Sequence, residues 1–192
     1  MPFFRSLPEN AGPPVVFTKF PEIYGAWSKM SEALMNGPSP LSQAERELIL
    51  AYAAGVAGCL FVYVAHSEVA YARGIENGLI ERLLRNPDTP MEARLKPLLA
   101  FVRKLTLTPG QMSQADADAV FDAGWDEHAL HDAIAVTARA AFMQRLVQGH
   151  GFTPMSREAA VKRAQQRIEH GYVNLYSTFR ENKETPPNES RS

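Results

Sequence analysis

From Leu48 to Ala65 the chain runs for 18 residues, LILAYAAGVAGCLFVYVA, without a charge, between Glu47 and His66. A stretch like this must leave water, and that requirement constrains the fold more than any other feature. Its length stands at the lower edge of what spans a bilayer. It is rich in Ala and Gly rather than Leu and Ile, and no Lys or Arg cluster beside it sets an orientation. The reading is therefore two buried helices that meet near Gly55 and Gly58, with no membrane span.

The rest of the sequence agrees with helix. Ala, Leu, Glu, Arg and Met dominate, and β-branched residues never build an alternating run. Residues 1–14 hold four of the 14 prolines, so the first 19 residues read as an irregular arm. Phe20, Ile23, Tyr24, Trp27, Met30 and Leu34 recur at helical spacing up to Asn36-Gly37-Pro38. Ser42 followed by Glu45 is a capping box that opens the next helix. Gly74 suits the end of the helix that starts near Cys59. Further helices are expected over about 76–85, 91–106, 113–123 and 126–148, and a last one from Ser156 through Ile168 and Leu175. The fold class is all-α, with about eight helices, in one helical domain over 20–180. Residues 181–192 read as a polar, mobile tail.

Several function classes are excluded by charge and cysteine content. Among 192 residues, Lys plus Arg is 20 and Asp plus Glu is 21, a net charge of -1. This offers no grip on nucleic acid or an anionic membrane. One cysteine excludes an internal disulfide and a cysteine-rich metal site. The N-terminus shows no secretory h-region and cleavage site, so the expected compartment is the cytoplasm. No cofactor is called for. The aromatic helix over Phe20–Leu34 and the apolar helices carry more nonpolar surface than one small bundle hides, and a homo-oligomer is expected.

Chemistry concentrates at the borders of the uncharged run. Cys59 is expected in the first turn of a helix, where N–H groups and the positive dipole end favour a thiolate. His66, seven residues on, falls on nearly the same face about 10 Å away. That is too far for a direct hydrogen bond within a straight helix, and Val62 lies between them. A lone Cys in an Ala-rich helix is also commonly just a small buried hydrophobe.

The segment LSQAERELILAYAAGVAGCLFVYVAHSEVAYARG resembles the core of the alkylhydroperoxidase D and carboxymuconolactone decarboxylase superfamily, in its peroxidase-related branch. The family motif is a Glu, then twelve residues on a C-x-x-C pair, then three residues and a His. Glu47, Cys59 and His66 match this spacing. The similarity extends over roughly 20–151, through Phe101–Pro109 and through Gln144-Arg145 with Gly151. The resemblance implies a helical bundle of that type and catalytic roles for Glu47, Cys59 and His66. It departs at Val62, which replaces the second cysteine, the thiol that in the family attacks peroxide next to the His. Turnover by a cysteine pair within this chain is thereby excluded.

Three functions follow from the resemblance. The first is a peroxidase-related oxidoreductase in which Cys59 reduces a hydroperoxide, becomes a sulfenic acid and is restored by an external thiol. The second is a decarboxylase- or isomerase-like enzyme without thiol chemistry, with Glu47 and His66 as acid and base on a small lactone or carbonyl compound. There the apolar wall is expected to raise the Glu47 carboxyl by desolvation. The third is an inactive oligomeric binding protein. Other candidates are weaker. His128 and His131 are spaced to touch one metal, but no third ligand is evident and an exposed face is expected. Tyr52 and Tyr63 are expected beside the pocket. Arg139 or Arg145 is placed either to meet a buried carboxylate or to reach the surface. Arg157, Lys162, Arg163 and Arg167 read as a solvated face, and His150 as a loop residue or helix end.

Overall fold

The computed structural model describes residues 1–175, and the tail expected over 181–192 lies outside them. The described residues form nine α-helices, one 3-10 turn at Pro109–Gln111 and no strand. In chain order the helices are α1 (Pro13–Lys19), α2 (Pro21–Asn36), α3 (Gln43–Val56), α4 (Leu60–Ala72), α5 (Leu79–Arg85), α6 (Leu95–Leu107), α7 (Gln114–Asp122), α8 (Glu127–Gly149) and α9 (Arg157–His170).

The uncharged run folds as the α3–α4 hairpin. The capping box at its start is complete: Ser42 Oγ accepts from the Glu45 N–H at 3.2 Å, and Glu45 Oε2 accepts from the Ser42 N–H at 2.7 Å. Gly58, at φ 71°, supplies the left-handed backbone that turns the chain into α4. Arg46 is buried and donates through Nη1 to the carbonyls of Leu34 and Gly37, at 2.7 and 3.0 Å. It thus satisfies carbonyls that the end of α2 leaves open. Leu48, Ile49 and Leu50 are wholly buried against Leu83 of α5, Leu98 and Val102 of α6, and Val136 of α8. None of the helices is long and apolar enough to cross a membrane.

Three sequence expectations change here. The arm is not irregular throughout, because residues 13–19 form α1. Pro13 and Pro14 stand in its first turn, where a helix has no use for their missing N–H and gains from their preset φ. Val16 and Phe17 then bury against Cys59, Val62, Val147 and Phe152. The arm is also tied down ahead of α1: the Phe3 N–H donates to the His150 carbonyl at 2.9 Å, and the Phe4 ring stacks on His150 at 4.7 Å. Second, the last helix stops at His170 rather than Leu175, because Gly171 takes φ 65°. Third, α2 buries Tyr24, Ser28, Ser31 and Met35, while Phe20, Ile23 and Met30 stay exposed. That exposed stripe is the surface on which the expectation of self-association rests.

Leu98 has no exposed surface and packs at the centre of this core. Leu98→Ala is expected to cost about 2–5 kcal/mol. Urea unfolding checks it, through a lower midpoint at an unchanged slope.

Candidate active site

Glu47 of α3 and His66 of α4 are both buried, and they meet across the hairpin with His66 Nδ1 2.7 Å from Glu47 Oε2. The other carboxylate oxygen, Oε1, accepts from the Tyr172 hydroxyl at 2.6 Å. On the far side of the imidazole, Nε2 faces Arg167 Nη1 at 3.4 Å. The Tyr172 ring receives the guanidinium of Arg139 at 4.6 Å and that of Arg167 at 5.3 Å. Arg139 also donates through Nε to Ser31 Oγ at 3.1 Å.

Local structure explains who arrives. Ala160, Ala164 and Arg167 fall on one stripe of α9, and all three are buried. Arg167 therefore occupies a core position of α9, which corrects its reading as part of a solvated face; Arg157 and Lys162 face outward, and Arg163 is half-buried. Gly171 ends α9 in left-handed backbone, and the next N–H, from Tyr172, donates to Glu32 Oε2 of α2. That bond turns the Tyr172 ring inward. Arg139 sits on the buried side of α8 and reaches Tyr172 rather than Glu47. Arg145 stays exposed and donates to its own helix at the Ala141 carbonyl.

Burial by itself would raise the Glu47 carboxyl, as expected from its apolar surroundings. Its partners reverse the outcome: His66, the Arg167 charge and the Tyr172 hydrogen bond bring it down to about 2. Burial and then the Arg167 charge push His66 down to about 4, against the raising pull of Glu47. Burial and the Glu47 charge raise Tyr172. At neutral pH, Glu47 is thus a carboxylate and His66 a neutral imidazole. Its proton sits on Nδ1, bonded to Glu47, so Nε2 carries the lone pair.

Nε2 faces Arg167 beside a cavity of about 880 Å³, which His66 and Arg167 both line. The cavity lies between α4, α9, the loop Thr153–Met155 and the arm residues Glu9–Pro14. Its wall is mostly apolar, with Phe61, Val62, Ala65, Met143 and Met155. Cys59 is absent from this lining. It is 1% exposed and packs among Ala11, Val16, Phe17, Ala54 and Val62. The expected lowering of its thiol is overturned: burial raises it and outweighs the N–H groups of Val62 and Phe61 at the start of α4. Of the three residues singled out by spacing, the structure brings Glu47 and His66 together and seats Cys59 apart.

The weaker candidates sort out as follows. His128 and His131 are exposed, and His128 pairs with Asp132 at 3.5 Å. Among the described residues no cluster of three or more His, Cys, Asp and Glu is placed to hold a metal. Tyr52 and Tyr63 do not line the 880 Å³ cavity. Tyr52 borders a separate cavity beside α6, and Tyr63 faces Glu81 and Tyr71. His150 caps the end of α8, between the rings of Phe4 and Phe152. Sequence reasoning missed Arg167 and Tyr172. The Ala160–Ala164–Arg167 stripe was a legible signal for the first. Nothing local marks Tyr172, which depends on Gly171 and Glu32.

No family model matches the chain, and no curated protein does. Among the solved structures that share its fold are two peroxidase-related proteins. One is an uncharacterised peroxidase-related protein from Silicibacter sp. TM1040, 24% identical, with a TM-score of 0.65 over 79% of this chain and 91% of that one. The other is an alkylhydroperoxidase AhpD core, an uncharacterised peroxidase-related protein from Ralstonia eutropha JMP134. It is 21% identical, with a TM-score of 0.71 over 80% of this chain and 81% of that one. At these identities the likeness is one of fold: this chain has the alkylhydroperoxidase D architecture.

Two outcomes follow from the site. His66 falls from 6.5 in the unfolded chain to about 4 in the fold, so the fold resists its protonation. Stability is therefore full above about pH 6.5 and drops as pH falls toward 4. Glu47, lowered from 4.5 to about 2, adds a second loss across that range. Melting temperature against pH should show both, and His66→Gln should flatten the upper one. Gly171→Ala places a Cβ at φ 65° against the Glu32 carboxylate. It should cost about 1 kcal/mol or more from the left-handed backbone alone, and it should raise the rate of amide exchange around Tyr172.

Proposed function

We propose that this chain, built on the alkylhydroperoxidase D fold, is an enzyme that moves a proton on a small lactone or carbonyl compound without using its thiol. One observation carries this reading. His66 presents an unprotonated nitrogen beside the 880 Å³ cavity, held in place by a buried carboxylate, while Cys59 is packed outside that cavity's lining.

The chemistry follows from the tautomer. Nε2 takes a proton from carbon next to a carbonyl, and the C–H electron pair moves onto the carbonyl oxygen to give an enolate. The imidazolium so formed keeps its Nδ1–H on Glu47, whose negative charge stabilises it. Tyr172 holds the other carboxylate oxygen and so holds the ring's orientation. Return of the proton from Nε2 to another carbon makes the reaction an isomerisation. A substrate carboxylic acid reaches the same kind of intermediate by losing carbon dioxide after Nε2 has taken its acid proton, and return of that proton to the carbon completes a decarboxylation. The apolar walls exclude water and keep the base unprotonated.

A one-cysteine hydroperoxide reductase is the alternative, supported by the descriptions of the two structural neighbours as peroxidase-related. It requires hydroperoxide to reach a thiol that is 1% exposed and raised by burial. One experiment separates the two: deuterium exchange into a panel of lactones and ketones, followed by NMR, beside hydroperoxide consumption with an added dithiol. Proton transfer predicts that Cys59→Ser keeps the exchange. His66→Gln should lose about 10²-fold or more, and Glu47→Gln a substantial part of that. Loss of hydroperoxide consumption in Cys59→Ser, with no exchange by the parent protein, would establish the thiol reading instead.

A further inference from the structure

Arg167 is 9% exposed, and its guanidinium makes no ion pair among the described residues. Its contacts are with His66 Nε2 at 3.4 Å, a long hydrogen bond, and with the Tyr172 ring at 5.3 Å. Its Nε is buried without a hydrogen-bond partner. A guanidinium taken out of water in this way is costly unless an anion meets it. The carboxylate nearest in its field, Glu47, is already occupied by His66 and Tyr172. What lies open to Arg167 is the 880 Å³ cavity that it lines.

Arg163, one helical turn earlier on α9 and half-buried, lines the same cavity. Two positive side chains therefore stand at one end of an otherwise apolar pocket. The counter-charge among the lining residues is Glu9, which is exposed. Resting on the proton-transfer reading, we propose that the substrate is a small organic carboxylate with an apolar body. Its anionic group is seated on Arg167, with Arg163 adding positive charge along the same wall, and its apolar part lies against Phe61, Val62, Ala65 and Met143. The arm contributes Pro13 and Pro14 to the wall, and neither has an N–H to offer. The mostly apolar wall suits an anion that carries an apolar body. Arg167 Nη1 stands 3.4 Å from Nε2, so an anion seated on it keeps the rest of the molecule, with its carbonyl, beside the base.

The test is calorimetric and needs no turnover. The full chain is titrated with phenylacetate, with its neutral counterpart phenylacetamide, and with inorganic phosphate. The expected result is phenylacetate binding about tenfold or more tighter than the amide. That preference should disappear in Arg167→Gln, partly return in Arg167→Lys and weaken with salt. Equal binding of acid and amide by the parent chain overturns the proposal, and so does binding of none of the three. Phosphate bound as tightly as phenylacetate overturns the apolar body. Should Arg167→Gln fail to fold by circular dichroism, the acid–amide comparison and Arg163→Gln decide. Carboxylate binding that persists where His66→Gln leaves proton exchange untouched would sink the catalytic reading and keep this one.

Discussion

Glu47 is a carboxylate with 1% of its surface exposed, and the architecture around it is arranged to keep it charged. Desolvating an ion of this kind costs several kcal/mol unless its lone pairs are met. Here they are met from two directions, by His66 of α4 at 2.7 Å and by Tyr172 just past α9 at 2.6 Å. Those contacts tie the α3–α4 hairpin to the end of the last helix. They also settle the imidazole's tautomer, which decides what chemistry the cavity can do. His66 and then the Arg167 charge keep the carboxylate low, and burial, joined by the charges of Arg167 and Arg139, keeps the imidazole neutral.

Cys59 shows two opposing effects at one residue. The start of α4 lowers the thiol through nearby N–H groups, and the apolar packing of Val16, Phe17, Ala54 and Val62 raises it. Packing wins because partial charges at a helix terminus count for little against near-complete removal of water. Val62 puts an alkyl group into the cavity wall four residues before His66. What remains is an acid–base pair beside a largely apolar chamber.

Much of the fold was legible from local signals. The uncharged run, the capping box at Ser42 and Glu45 and the breaks at Gly58 and Gly74 placed α3 and α4 closely. The exceptions have definite causes. Pro13 and Pro14 looked like breakers, yet at the first turn of α1 they start a helix. At the site, motif spacing singled out Glu47 and His66. The Glu47 carboxyl was expected to rise from desolvation alone, whereas partners from other helices outweigh it.

By itself, the sequence determined that the chain is helical, that its uncharged run turns back on itself as two buried helices, and that no internal disulfide can form. These are consequences of composition, periodicity and a single cysteine, all of them local. Only the tertiary structure decided that Tyr172 closes the site from 125 residues beyond Glu47. It also decided that Arg167 lies inside rather than in solvent, and that the N-terminal arm forms one wall of the cavity. Such contacts arise when separate helices pack to hide their apolar stripes. The energy of a buried charge depends on what that packing brings within a few ångströms of it, whatever its neighbours in sequence.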